Sequence, residues 1–511
     1  MQNGKLLILN TSVLTVGTVI MRSISVFFNI YLSNKIGSAG IGLLQLITTV
    51  YNLAVTFASG GVKLGATRLV SETSAGNKEK IRFIVYVCMR YALVFGMITA
   101  AILFIFSGII SDKWIVDKRS TMALKILSLS LPAVAVSSVL SGYFTAKKTM
   151  AKYSIVQLIE QAFKIIVTVV SLTFFSSGDT EFACSAIAFG ITVSEYISAI
   201  ISYSVFRSEN RVKYVSDASL LRKLLHISLP EVTGSGCRAV LLTVEHILIP
   251  SGFRKSGFNT ENAMSIYGYI HGMALPVILY PSAFISSLSS MLVPELSQIK
   301  LSDNSKKISA ICRISLRFAM IFSFGAAAFF FAFSDTVSSA VYKENSAAFY
   351  IKLLSVLIPI MYCDMITDGL LKGLDEQSAS MRYNIFDSAI CVILVAVLVP
   401  RYSVSGYIFI LFLSEIINFS LSINRLIRKI GVSINPINDI IKPLVCSIFC
   451  GLAVYVLIIP KICLIKNNVI ILAFSAVIFI LLYLLGLYFM GGINKEEKNA
   501  CGRIIKNGNY T

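Results

Sequence analysis

Charge is scarce in this chain: 14% of its 511 residues are Asp, Glu, Lys or Arg, where a soluble globular protein carries about 25%. No hydrophilic stretch is long enough to fold by itself, so the length does not divide into three soluble domains of about 150 residues each. A phosphate-binding GxxxxGK[ST] loop is missing, and the three histidines, His226, His246 and His271, form no HExxH pair. These absences argue against an ATPase and against a metalloenzyme, and no cofactor is expected. There is no CxxC pair either. Most of the ten cysteines fall inside apolar runs, as Cys88, Cys184 and Cys363 do, which reads as reduced, small apolar side chains.

What the chain has in abundance is apolar sequence, at 56% of residues and a mean hydropathy of +0.79. A spanning helix needs about 20 largely apolar residues, and fourteen such stretches recur between residues 7 and 490. The expected fold is all-α and polytopic, with about 14 transmembrane helices: an N-terminal lobe of spans 1 to 6 over 1–206, a C-terminal lobe of spans 7 to 12 over 207–424, and spans 13 and 14 with a cytoplasmic tail over 425–511.

The 45 Lys and Arg outnumber the 26 Asp and Glu by 19, a balance that in a soluble protein would suggest nucleic acid. Here the excess lies in alternate loops. If the N-terminus is cytoplasmic, the inner segments hold 27 basic residues, with Arg313 and Arg317 counted beside one loop, and the outer loops hold 10. That asymmetry fits a cell-membrane protein with both termini in the cytoplasm; nucleic acid is not an expected partner. Eight basic residues remain within spans or at their edges: Arg22, Lys63, Arg68, Arg90, Lys125, Lys164, Arg238 and Lys352.

Several anchors recur half a chain apart. Pro132 and Gly142 return as Pro359 and Gly369, Tyr153 as Tyr383, and Ser194-Glu195 as Ser414-Glu415. Six spans separate the copies, an even number, so the halves would be parallel repeats about an axis along the membrane normal.

Polar residues align on particular faces. Thr11, Thr15, Thr18, Arg22, Ser25 and Asn29 follow one another by fours and threes in span 1, as do Gln45, Thr49, Asn52, Thr56, Ser59 and Lys63 in span 2, which puts each set on one side of a helix. Span 7 aligns Glu231, Ser235, Arg238 and Glu245. Small polar residues at this spacing also glue helices together. Arg22 and Arg238 differ, because both stand about halfway along their spans, where a charge is costly and faces protein or a wet cavity. Lys63 and Arg68 lie near the end of span 2 and can snorkel into headgroups. Glu160 and Lys164 form an i,i+4 pair that neutralises itself. Asp364 and Asp368 share a face of span 10, one turn before Lys372, where they either couple an ion or balance a cavity arginine. Arginine donors suit phosphate, so the polar faces favour an anionic cargo.

The segments IGSAGIGLLQLITTVYNLAVTFASGGVKLGATRLVSE (36–72), LPVILYPSAFISSLSSMLVPELS (275–297) and GLLKGLDEQSASMRYNIF (369–386) resemble the stage V sporulation protein B family of polysaccharide-type transporters. This family shares a superfamily with multidrug exporters, oligosaccharide-lipid flippases and the lipid II flippase. The resemblance implies two six-helix lobes around a central cavity, working by alternating access on a polyprenyl-linked glycan, in spore-envelope or peptidoglycan synthesis. In related lipid II flippases arginines of spans 1, 2 and 8 line the cavity. Arg22 corresponds to the first and Arg68 or Lys63 to the second, whereas span 8 here offers only His271.

The reading is therefore a flippase for a lipid-linked oligosaccharide or peptidoglycan precursor, not an enzyme. Its substrate-binding set is Arg22, Arg238, Lys63, Arg68, Asn29, Asn52 and His271, and its ion-coupling set is Glu231, Glu245, Asp364 and Asp368. Expected partners are the lipid-linked glycan, membrane lipids and enzymes of glycan synthesis. The alternative is a cation-coupled multidrug exporter of the same fold, which would depend on Glu231 or Asp364. A membrane-embedded glycosyltransferase would need a large outer loop with catalytic carboxylates, and the outer loops are short.

Overall fold

The computed structural model describes residues 2–73, 78–147, 149–174, 179–209, 220–301, 305–343, 345–431, 435–457 and 468–490. Among them there are helices and no strands. In chain order these are α1 (Gln2–Ser59), α2 (Val62–Ser71), α3 (Lys78–Ile109), α4 (Ser120–Ala146), α5 (Met150–Phe174), α6 (Thr180–Glu209), α7 (Leu220–Lys255), α8 (Thr260–Tyr267), α9 (Leu275–Ile278) and α10 (Ser282–Leu301). They continue with α11 (Ser305–Ala332), α12 (Ser334–Tyr342), α13 (Ala348–Ser355), α14 (Ile358–Gly373), α15 (Gln377–Ile430), α16 (Lys442–Leu457) and α17 (Asn468–Phe489). Wider π-helical turns occupy Ile110–Ile115, Gly268–Ala274 and Pro436–Ile441.

Ten of the described helices are long and apolar enough to cross a membrane, or twelve if each of two bent pairs is one span. The chain is a multi-pass membrane protein. At about 1.5 Å per residue, the 58 residues of α1 and the 54 of α15 each run far beyond the ~30 Å of bilayer hydrocarbon. Both are broken: α1 at Gly37 (φ 72°, ψ 178°) and α15 at Ser403 (φ 54°, ψ −133°). The bent pairs are α8–α9 with α10, at 61°, and α13 with α14, at 58°. Pro276, Pro281 and Pro359 stand at these bends, where a missing N–H and a ring clash make a straight helix costly.

Bends in hydrocarbon leave carbonyls that water cannot reach, and these must be satisfied within the protein. Buried tyrosines do this. The Tyr362 hydroxyl donates to the Ile278 carbonyl at the end of α9 and Tyr342 to Met273 in the π turn (2.8 Å); away from the bends, Tyr483 of α17 ties to α11 by donating to the Ile321 carbonyl (2.8 Å).

The chain divides into two compact units. The first comprises Met1–Gly272 and Asn384–Ile410, the second Met273–Tyr383 and Leu411–Thr511; these boundaries differ from those of the expected lobes. In the first, Val62, Ala66, Val85, Cys88, Leu140 and Phe144 are among the buried core residues. Helices α1 and α8 touch backbone to backbone, because a Cβ on Gly42 would collide with the Met264 carbonyl and one on Gly268 with that of Ser38. In the second unit, Glu376 receives Lys429 (2.8 Å) and Arg425 (2.7 Å) in the loop before α15. The hydrogen bonds they donate, helped by their charges, hold its carboxyl down to about 2. The contribution is present above the ordinary value of 4.5 and is lost only as the pH falls through about 2; with both cations well exposed it is small.

Arg317 departs from its expected place beside an inner loop. It lies well inside α11 with its side chain 4% exposed, and its Nε stands 3.3 Å from Asp439 Oδ1, itself 3% exposed. Asp439 also accepts from the Asn435 backbone N–H at 2.8 Å. The pair fastens the π turn preceding α16 to α11. Replacing Arg317 by Met strands a buried carboxylate and should cost about 3–5 kcal/mol, whereas the double substitution Arg317→Met, Asp439→Leu should recover most of it. Denaturation of the detergent-solubilised protein measures both.

Candidate functional site

Helix α7 carries the charges that the spacing singled out. Glu231 and Arg238 are exposed on it and Glu245 is half-buried. The Arg238 Nη2 reaches the amide oxygen of Asn384 at 3.4 Å, a neutral partner, and no carboxylate lies within ion-pair distance of it among the described residues. One turn further along α15, Asp387 is an electrostatic neighbour of Glu245. Residues 384–410 thus stand beside α7 within the first unit, together with α1, α2, α3 and α8.

Next to Glu245 the first unit builds a chain of rings. His246 Nδ1 shares a 2.7 Å hydrogen bond with the Tyr267 hydroxyl, and His271 Nε2 shares one of 2.6 Å with the Tyr407 hydroxyl. The two imidazoles stand edge to face with centroids 4.7 Å apart. The Thr49 side chain of α1 lies beside Tyr267, and Glu245 is within electrostatic range of both phenols. His271 reaches this place because it sits in the π turn Gly268–Ala274, and such turns, rare elsewhere, recur where function needs a side chain re-aimed. Asn29 of α1 donates to the Gly272 carbonyl of the same turn at 2.8 Å. Thr49, Tyr267, His246, His271 and Tyr407 thus offer a run of groups able to exchange or share a proton. No group of three or more His, Cys, Asp or Glu among the described residues is arranged to hold a metal.

The other sequence-selected residues are distributed differently. Arg22 is half-buried on α1, and one turn on, Ser25 accepts from Gln161 Nε2 of α5 at 3.3 Å. The side chains of Thr11, Thr15 and Thr18, on the same expected stripe, lie outside the described residues. Asn52, Lys63 and Arg68 are exposed, and Arg68 pairs with Glu72 one turn on at 3.1 Å. Asp364 and Asp368 belong to the second unit. Asp364 accepts from Asn418 Nδ2 at 3.3 Å, and Asp368 accepts from the Ser380 hydroxyl at 2.6 Å. Sequence reasoning missed His246, Tyr267, Tyr407 and Asp387. The i,i+4 spacing of Tyr267 and His271 was the available signal. Glu195 was noticed only as a repeat anchor, yet it joins Glu160 and Lys164 in one charge cluster between α5 and α6.

Residues 7–300, more than half of the chain, match the family described as Polysaccharide biosynthesis protein. Stage V sporulation protein B of Bacillus subtilis (strain 168) is 23% identical over 402 residues, covering 77% of this chain and 78% of that one. A solved inward closed conformation of the lipid II flippase MurJ superimposes with a TM-score of 0.72 at 14% identity, over 93% of this chain and 98% of that one. An inward-facing multidrug resistance MATE family transporter gives 0.63 at 13% identity, over 81% and 100%. The fold is theirs.

The ring chain makes a structural demand that can be measured. Tyr407→Phe removes the partner of a half-buried imidazole and should cost about 1–3 kcal/mol. Tyr402→Phe, on a side chain 63% exposed, should leave the unfolding midpoint of the purified protein unchanged.

Proposed function

The chain belongs to the polysaccharide biosynthesis protein family, and from that premise we propose that it is a flippase carrying a lipid-linked glycan across the cytoplasmic membrane by alternating access. The observation that carries the reading is the environment of Arg238. A guanidinium halfway along a membrane-crossing helix is costly unless its charge is answered, and the partner it has is the neutral Asn384 amide. A phosphate or pyrophosphate linking prenyl chain to sugar supplies the missing charge through planar, paired hydrogen bonds. Arg22 serves the same head group from α1, with Asn29, Asn52 and His271 for polar contacts and Lys63 and Arg68 at the approach.

No covalent chemistry is needed. The membrane potential or an ion gradient drives the step, with Glu245 beside Asp387, Glu231, Asp364 and Asp368 as the carboxylates that take the coupling ion. Likeness to stage V sporulation protein B supports a role in building the spore envelope, alongside the enzymes that make the glycan. The basic loops support both termini being cytoplasmic.

Translocation of a fluorescent lipid-linked glycan in proteoliposomes tests this. Loss of one charged hydrogen bond is worth about 1.5–3 kcal/mol, so the Arg22→Ala, Arg238→Ala double variant should flip at least about tenfold more slowly, with Arg238→Lys in between. Equal rates for wild type and the double variant reject the phosphate contacts. Export of cationic dyes that depends on Glu231 or Asp364, with no glycan movement, would favour the drug-exporter alternative.

A further inference from the structure

A cleft of about 750 Å³ opens within the second unit, between α11, the α13–α14 bend and α16. Phe331, Val356, Ile360, Leu444, Ile448 and Leu452 are among its walls. The three walls belong to membrane-crossing helices, and most of these side chains remain exposed. Beside it α13 and α14 meet at a 58° bend around Val356–Leu357. Water does not suit it: the volume corresponds to roughly 25 molecules at about 30 Å³ each, and apolar walls offer them few hydrogen bonds. In a bilayer the filler at hand is a hydrocarbon chain.

The polar groups at the cleft narrow the choice of lipid. Lys352 of α13 and Asp335 of α12 both line it and both are exposed. The Lys352 Nζ stands over the Phe331 ring, 5.2 Å from its centroid. Among the described residues neither Lys352 nor Asp335 has an oppositely charged group within ion-pair distance, so the two do not neutralise each other. A head group with a phosphate alone would answer Lys352 and leave Asp335 facing an anion. A choline head group would bring a cation with no N–H to donate. A phosphodiester that also carries a primary ammonium answers both, phosphate to Lys352 and ammonium to Asp335.

We propose that this cleft binds a phospholipid of the phosphatidylethanolamine type, with an acyl chain between α11, α14 and α16 and its zwitterionic head group between Lys352 and Asp335. This lipid site does not depend on what the protein transports.

The full-length protein, exchanged against phosphatidylcholine vesicles containing equal shares of phosphatidylethanolamine, phosphatidylglycerol and polyprenyl phosphate, can be examined by native mass spectrometry for retained lipid. Wild type should keep phosphatidylethanolamine ahead of the other three. Lys352→Gln should lower that retention about tenfold. Asp335→Asn should abolish the preference over phosphatidylglycerol while leaving phosphatidylglycerol bound. Both side chains are exposed, so neither change threatens folding. Equal retention of all lipids, preference for phosphatidylglycerol or polyprenyl phosphate in the wild type, or the same profile in both variants would overturn the proposal.

Discussion

In hydrocarbon no water stands ready to take over a hydrogen bond or screen a charge, so every polar group within the bilayer must be answered by the protein, by a wet cavity or by a ligand. Much of the structure follows from that constraint. The carbonyls of Ile278, Met273 and Ile321 each receive a tyrosine hydroxyl. Arg317 is bound to Asp439 where both are almost fully buried. His246 and His271 each take a phenol. Arg238 contrasts with these, because a full charge is met by an amide oxygen.

The helices were legible because the apolar runs are long and the loops between them short and basic. Their breaks were less so. Gly37 could be suspected of a left-handed conformation, but Ser403 has no such freedom, and nothing in its residue type announces its positive φ. Prolines marked both bends only in retrospect, since Pro132 sits inside an unbroken α4.

The site was read unevenly for a physical reason. Charges at helical spacing announce themselves, so Glu231, Arg238 and Glu245 were found on α7. A histidine on an apolar face reads as a satisfied core residue, and nothing local joins Tyr407 to His271, 136 residues away. Arg317 was misplaced because a basic residue near the start of an apolar stretch is counted with the loop beside it, and its partner Asp439 is remote in sequence. Lys63 and Arg68, by contrast, are exposed, as their position near a helix end suggested.

The central claim is that the Arg238 position of α7 faces a hydrated path used by a phosphate-bearing head group. Substituted-cysteine labelling measures this most directly. Because the neighbouring Cys237 is itself exposed, the measurement needs a Cys237→Ser, Arg238→Cys protein in sealed vesicles, treated with a charged, membrane-impermeant thiol reagent with and without lipid-linked glycan. Labelling from the aqueous phase that the glycan slows is the expected result. A thiol that no impermeant reagent reaches from either side, or one labelled at the same rate whether or not the glycan is present, would contradict it.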